Sequence, residues 1–509
     1  MFAFFKRKKK ILIFAALFIV IAAAAFFAFN YYTAKAPEGA FCNSVDGYYL
    51  DLPEGFTPDY SFYPNAMIFN SENTSIEMYA EPYENMNERL SYINYTNRAI
   101  TENTTDYENV ETINDSLNNT IISWNRKKLS KIENDKNYYL KIDVPKKSKV
   151  YTMLVKSTEP IGDYEDYLSR LYFHNNIKPA ENVQKILPRE NPNFNEETKK
   201  FYNKYLSDEA KLTWGIFQAD YRETTSNLDK YEAKIDHNFD IILWYTSIHP
   251  ECDYKRDLKV IEDAYANNKI VEVTLQPRLS HEDVVGNDLF KLLDGYYDNF
   301  LNTYIKALAE FDHPILFRFS NEMNGDWCEY SGYRMSLDTE LYREMYKYIY
   351  SIFEKYEADN VIWIWNPNGK SFPDFKWNAE EMYYPGKDYV DVLGLTFYNT
   401  GNFYEGEEWI EFEDLYKPLY KRSVKKYDMP FMITEFACAR AGGSKEDWTR
   451  RMFSEIEDYD KIKIAIWWNG ADFTPEKKIA RSYYIDDSKE MVSIFKEYFE
   501  EKKNEKNIS

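Results

Sequence analysis

Residues 313–327 read HPILFRFSNEMNGDW, an apolar run that closes on a glutamate with asparagines on either side and a tryptophan five positions later. A run this short and this apolar suits a strand buried on both faces, as in parallel sheets. Alternation along it puts Leu316, Arg318, Ser320 and Glu322 on one face. Glu322 then stands at the C-terminal end of the strand, with Arg318 two positions deeper.

Seven other runs share this character: LTWGIFQ (212–218), FDIILWYTS (239–247), KIVEVTLQP (269–277), NVIWIWNPN (360–368), VDVLGLTFYN (390–399), PFMITEFA (430–437) and IKIAIWWN (462–469). Helical stretches such as NDLFKLLDGYYDNFLNTYIKALAEF (287–311) and ELYREMYKYIYSIFEKY (340–356) lie between them. Eight strands alternating with helices predict an α/β fold, a (β/α)8 TIM barrel, over residues 190–505. A doubly wound sheet alternates in the same way, but no glycine-rich phosphate loop follows the first strand.

Function in such a barrel gathers where the strands end. In PFMITEFA, Phe431, Ile433 and Glu435 share a face, which brings a second glutamate to the mouth opposite Glu322. Two carboxylates across a cleft are the minimum apparatus for hydrolysing a glycosidic bond, one as proton donor and one kept ionised. Arg318 and Tyr398 are placed to keep the second one charged. The competing reading is a pair of structural ion-pair partners.

Upstream, residues 41–180 are strand-rich, with TIISWNRKKL, NYYLKIDV and SKVYTMLVKS as strands, NMNERLSYINYTNRAI as a helix and VDGYYLDLPEGFTPD as an opening hairpin. This predicts a small α+β domain with no legible chemistry. A linker containing three prolines, NIKPAENVQKILPRENPNFNEE, separates it from the barrel. At the N-terminus five basic residues (within 1–9 and at Lys10) precede nineteen uncharged ones, 11–29. That pattern predicts a cytoplasmic tail at 1–9, a transmembrane anchor at 10–30 and an exported remainder. The AKA at Ala34–Ala36 leaves a cleaved signal peptide as the alternative.

A formal charge of −21, from 84 acidic against 63 basic residues, argues against nucleic acid as a partner and is neutral toward an uncharged glycan. The four cysteines and five histidines form no metal-ligand spacing, so neither metal nor cofactor is expected. Cys328 and Cys438 could be bridged or free. Protein partners are not legible.

The segments HPILFRFSNEMNGDW, VIWIWNPN, YYPGKDYVDVLGLTFYN, ITEFACA and IKIAIWWN resemble, in order and spacing, glycoside hydrolase family 26, over roughly residues 205–475. That family sits in the clan of retaining (β/α)8 glycosidases. The resemblance implies Glu322 as acid/base, Glu435 as nucleophile, Tyr398 as the tyrosine that touches the nucleophile, and Trp327 and Trp467 as aromatics lining sugar sites. Trp365 and Trp363 alternate along one strand, so at least one is core, and Trp365 is the candidate sugar contact. Two departures stand out. Asn321 replaces a histidine that many mannan-cleaving members carry, and its amide suits a sugar hydroxyl. Gln276 stands where an acidic residue is common. The implied activity is hydrolysis of a β-linked polysaccharide (β-mannan or mixed-linkage β-glucan), with a surface carbohydrate-binding protein on the same barrel as the alternative.

Overall fold

The computed structural model describes residues 36–173, 185–190, 192–218, 226–248, 254–277 and 288–508. The expected anchor at 10–30 lies outside these residues. Among the described residues, no helix is long and apolar enough to cross a membrane. The chain divides into two compact units, residues 1–128 with 134–182, and 129–133 with 183–509.

The first unit is built on a seven-stranded antiparallel sheet, in the order Thr57–Asp59, Met67–Asn70, Thr74–Pro82, Lys149–Ser157, Tyr138–Pro145, Thr120–Arg126 and Tyr107–Asn114. A three-stranded sheet of Phe41–Asn43, Tyr48–Leu50 and Leu171–Phe173 accompanies it. One face of the large sheet supplies Phe69, Ile76, Met78, Ile142, Met153 and Val155 to a core that also takes in Tyr48, Leu50 and Leu171. Helix Met86–Thr101, capped by the Asn85 side chain, buries Tyr92, whose hydroxyl bonds Thr152 at 2.9 Å. The hairpin expected over 45–59 does not form. Its two halves pair in different sheets, because Gly55 turns the chain away at φ +87°.

In the second unit eight parallel strands close on themselves: β1 Thr213–Gln218, β2 Ile241–Ile248, β3 Ile270–Pro277, β4 Ile315–Phe319, β5 Val361–Trp365, β6 Val392–Thr396, β7 Phe431–Phe436 and β8 Ile462–Asn469. The β8–β1 ladder runs from Thr213↔Ile464 to Gln218↔Asn469 and completes the barrel. Inside, the lower layers are apolar, with Ile241, Leu243, Leu316, Ile362, Ile364 and Ile466 in one cluster. Helix Glu196–Tyr205 adds Phe201 to that cluster, with Leu206 just beyond it. Crowding inside is severe. A Cβ on Gly394 of β6 would stand 2.6 Å from the Asn366 side chain, so only glycine fits there.

Outside, the strands meet their helices through large side chains. Trp363 is 1% exposed, with Phe317 at 4.9 Å and Phe353 at 5.0 Å between ring centroids. The helical stretch expected over 287–311 is two helices, Asp288–Leu293 and Asp298–Glu310, separated by a turn in which Gly295 adopts φ +84°. Truncating Trp363 removes one of the largest buried side chains and leaves a cavity that its aromatic neighbours cannot fill. Trp363→Ala should therefore cost the barrel about 3–5 kcal/mol, read as a lower urea midpoint by tryptophan fluorescence and far-UV circular dichroism.

Candidate active site

The site begins with a charge in an apolar barrel. Arg318 is the inward residue of β4 after Leu316 and is fully buried. A buried guanidinium needs partners for its donors; Nε and Nη1 have them here, while Nη2 makes no hydrogen bond among the described residues. Its Nε lies 2.8 Å from Thr274 Oγ1 and 2.7 Å from Glu272 Oε1, both on β3. Its Nη1 donates to Asn366 Oδ1 at 2.7 Å and to Glu435 Oε1 at 2.9 Å. Burial alone would lower the Arg318 pKa, but Glu272 and Glu435 reverse this and hold the group charged. Burial pushes Glu272 up to about 7, against the pull of Arg318.

Glu435 is held on both carboxylate oxygens. Oε1 accepts from Arg318 and from Asn321 Nδ2 at 3.0 Å. Oε2 accepts from Tyr398 Oη at 3.0 Å and from Tyr245 Oη. Four donors from β2, β4, β6 and the segments after them thus fix one side chain. The strand alternation expected for β7 does not hold. Met432 is in the interior cluster, and Thr434 Oγ1 bonds Asn366 Oδ1 at 2.8 Å. Glu435 reaches the interior because the pairing with β6 skips a residue, Leu395 facing Ile433 and Thr396 facing Glu435. This is a bulge, a device that re-aims a side chain.

Glu322 also arrives by a different route from simple alternation. Strand β4 stops at Phe319, and Ser320 and Glu322 both have left-handed backbones, at φ +48° and +57°. Such conformations cost free energy in a non-glycine residue and persist only where the surroundings impose them. Here the Glu322 amide donates to Asn366 O at 2.8 Å. Asn324 ties the same turn to the segment after β5, accepting from the Asn368 amide at 2.7 Å and donating to Asn368 O at 3.0 Å. The Glu322 carboxylate accepts from Asn368 Nδ2 at 2.5 Å and from the Trp327 side chain. Burial, and then the charge of Glu435, raise its pKa to about 7, while Asn368, Arg318 and Trp327 oppose the rise.

The structure therefore gathers Glu322, Glu435, Arg318, Asn321 and Tyr398 into one cup. Asn321 does more than face outward for a ligand: it bridges Gln276, which donates to its Oδ1 at 2.6 Å, and Glu435. Trp327 stands at the rim, half exposed, 5.4 Å from Phe372. Two expected sugar contacts lie elsewhere. Trp365 points out of the barrel against Tyr384 and Tyr427, because Ile362 and Ile364 occupy the inward positions of β5. Trp467 is likewise buried on the outer side, against Phe436 and Phe495, with its indole N–H on Tyr483 O at 2.9 Å. Its neighbour Trp468 takes the inward place, stacked on Phe217 at 4.9 Å and 6.3 Å from Tyr398. Counting outward from Ile464 and Ile466 finds Trp468, just as counting from Ile241 and Leu243 finds Tyr245. Cys328 and Cys438 are free and buried.

Residues 276–481 match the family model of Glycosyl hydrolase family 26. That stretch runs from the end of β3 past β8, so the similarity to the family lies within the barrel. Among curated proteins, the chain is 26% identical over 240 residues to Endoglucanase H of Acetivibrio thermocellus, covering 46% of this chain and 25% of that protein. It is 28% identical over 181 residues to a mannan endo-1,4-beta-mannosidase of Bacillus subtilis, covering 34% of this chain and 44% of the relative. It is 25% identical over 247 residues to Beta-1,3-xylanase TXYA of a Vibrio species, covering 44% and 51%. The chain thus spans between a quarter and about half of the length of these family relatives.

The two glutamates of the barrel should titrate interdependently. Glu435→Gln removes a neighbouring charge and should lower the Glu322 pKa from about 7. Asn368→Ala removes a donor that favours the ionised form and should raise it. Carboxyl carbon-13 shifts of labelled glutamate, followed against pH, measure both; shifts in one direction for the two variants would contradict this assignment.

Proposed function

We propose that the barrel is a retaining endo-β-glycosidase acting on a β-linked polysaccharide of the β-mannan or mixed-linkage β-glucan type. The observation that carries this is the contrast between the two glutamates. Glu435 accepts four hydrogen bonds, one from a permanent cation, while burial raises Glu322 to about 7, where it still holds a proton near neutrality. A fixed carboxylate beside a poised acid is what double displacement at an acetal carbon needs.

In the first half-reaction a Glu435 oxygen attacks the anomeric carbon. The bond to the leaving oxygen breaks and Glu322 gives that oxygen its proton. In the second half-reaction Glu322, now ionised, takes a proton from water as the water oxygen attacks the same carbon and the Glu435 ester leaves. Tyr245 and Tyr398 stay aimed at Glu435 Oε2 through both steps, and Arg318 at Oε1. Trp468 and Trp327 offer flat apolar faces to the sugar rings on either side. The names of the curated relatives, a mannosidase, an endoglucanase and a β-1,3-xylanase, support a β-linked backbone as the substrate.

Glu322→Gln should lower kcat/KM by about 10²–10⁴-fold on polysaccharides, and Glu435→Gln by at least as much, with far-UV circular dichroism spectra showing both variants folded. The parent rate should fall above pH 7, about tenfold per pH unit, because a deprotonated Glu322 has nothing to donate. Binding of polymer by parent and both variants, without cleavage, would instead make the barrel a carbohydrate-binding protein.

On the same reading, the apolar segment 11–29 tethers the barrel to the outer side of a membrane, the orientation favoured by the basic residues before it. Protease treatment of intact cells should then release barrel fragments; a chain cut only after lysis would refute the tethered orientation.

A further inference from the structure

Among the described barrel residues, every exposed large apolar side chain except Leu187 and Tyr296 lies on a segment that leaves the C-terminal end of a strand. Soluble surfaces rarely concentrate such groups at one end without a ligand to cover them. They form two sets. Trp327 and Phe372 follow β4 and β5 and belong to the cup already described. Phe403 and Tyr404 follow β6, and Phe473 sits on the hairpin Ala471–Phe473/Ile479–Ser482 that follows β8. No step of the proposed reaction uses this second set.

We propose that Phe403, Tyr404 and Phe473 form a carbohydrate-stacking platform on the barrel rim, outside the catalytic cup, that holds a neutral β-linked glycan chain. The inference rests on the hydrolytic reading for its substrate class and goes beyond it in assigning a second contact region. Three observations support it. The rings are presented rather than packed away, with Phe403 43%, Tyr404 41% and Phe473 57% exposed. Tyr404 and the two segments that carry the rings are also held in place. The Arg481 guanidinium lies 4.9 Å over the Tyr404 ring, pairs with Asp472 on the hairpin at 2.8 Å, and pairs with Glu407 on the β6 loop. That loop is seated in turn on the segment after β7. Asn402 donates to Ala441 O at 3.2 Å, and Gly401, at φ +74°, comes so close that a Cβ would overlap that oxygen. Ordering aromatic faces before a ligand arrives lowers the entropic cost of binding.

Continuity with the cup is the third observation. Asp472 accepts from Tyr483 Oη at 3.1 Å, and the Tyr483 ring lies 5.4 Å from Tyr398, which holds Glu435. The platform is therefore joined to the nucleophile through a series of direct contacts along one side of the mouth. The charge of Arg481 is answered by two carboxylates, and Glu405 and Glu408 are exposed on the loop that carries Tyr404, so an anionic ligand is disfavoured. An uncharged sugar chain, with C–H groups on its ring faces, suits such a surface.

The test compares the full chain with the variant F403A/Y404A/F473A on β-mannan, mixed-linkage β-glucan and β-1,3-xylan, each as polymer and as the shortest oligosaccharide cleaved. The expected result is a KM on polymer raised about tenfold, with kcat/KM on the short substrate unchanged within about twofold. Equal losses on both lengths, or no loss on either, would overturn the platform while leaving the hydrolytic reading standing. Affinity electrophoresis through gels containing each polymer gives an independent answer in the Glu435→Gln background. Retardation that the triple variant loses supports the platform; retardation that it keeps, or none in any gel, overturns it. Should the parent cleave nothing, the hydrolytic reading fails and the gels alone decide the platform. Phe473→Ala by itself, on the hairpin tip, serves if the triple variant does not fold.

Discussion

The barrel interior depends on how one guanidinium is buried. Arg318 sits above a layer of isoleucine and leucine, where an unpaired charge would be prohibitively costly. The planar fork solves this by reaching Glu272 and Thr274 on β3, Asn366 after β5 and Glu435 on β7 at the same time. A lysine has a single donor point and could not span those directions. The ion pairs add little net stability by themselves, since desolvation offsets much of the Coulomb gain. Their consequence is geometric: β3, the segment after β5 and β7 are all held to one point on β4, and the Glu435 carboxylate is one of the groups held.

Asn366 carries this constraint to the other glutamate. Its side-chain oxygen accepts from Arg318, Thr396 and Thr434, while its backbone oxygen accepts from the Glu322 amide. One residue therefore references both carboxylates to a common frame, although they come from strands separated by two others. The left-handed turn at Ser320 and Glu322 is the cost of that arrangement, and Asn324 and Asn368 offset it with backbone hydrogen bonds. The strain is local and the restraint is distributed, so the proton donor stays placed without being packed into the core.

Much of this was legible in the sequence, and the failures share a cause. Runs of β-branched and aromatic residues marked all eight strands because burial on both faces leaves no polar alternation to confuse them with helices. Glu322 and Glu435 stood out as carboxylates ending such runs. Which way each side chain points was less legible. Alternation assigned Glu435 inward from Ile433, yet the structure turns Met432 and Thr434 inward and recovers Glu435 through a bulge that no residue pattern announces. Strict alternation would have found Trp468 from Ile464 and Ile466, and it rules out Trp365 beside Ile364; resemblance pointed to Trp467 instead. Tyr245, Asn366 and Asn368 were overlooked because tyrosine and asparagine are common in this chain and carry no charge to draw notice.

The layout inside the barrel also bears on what it can recognise. The lower layers are hydrocarbon, the next is a buried ion-pair and amide network, and the uppermost is aromatic and open. Arg318, among the described residues of the cup, is buried and turned toward protein carboxylates, so it offers little to a negatively charged ligand. Among the described residues, Trp468, Tyr398, Tyr245, the rim aromatics and the Gln276 amide face the mouth. Stacking faces and neutral hydrogen-bonding groups are the complement of an uncharged sugar. The net charge of −21 works in the same direction, since its field repels anions and leaves neutral polymers unaffected.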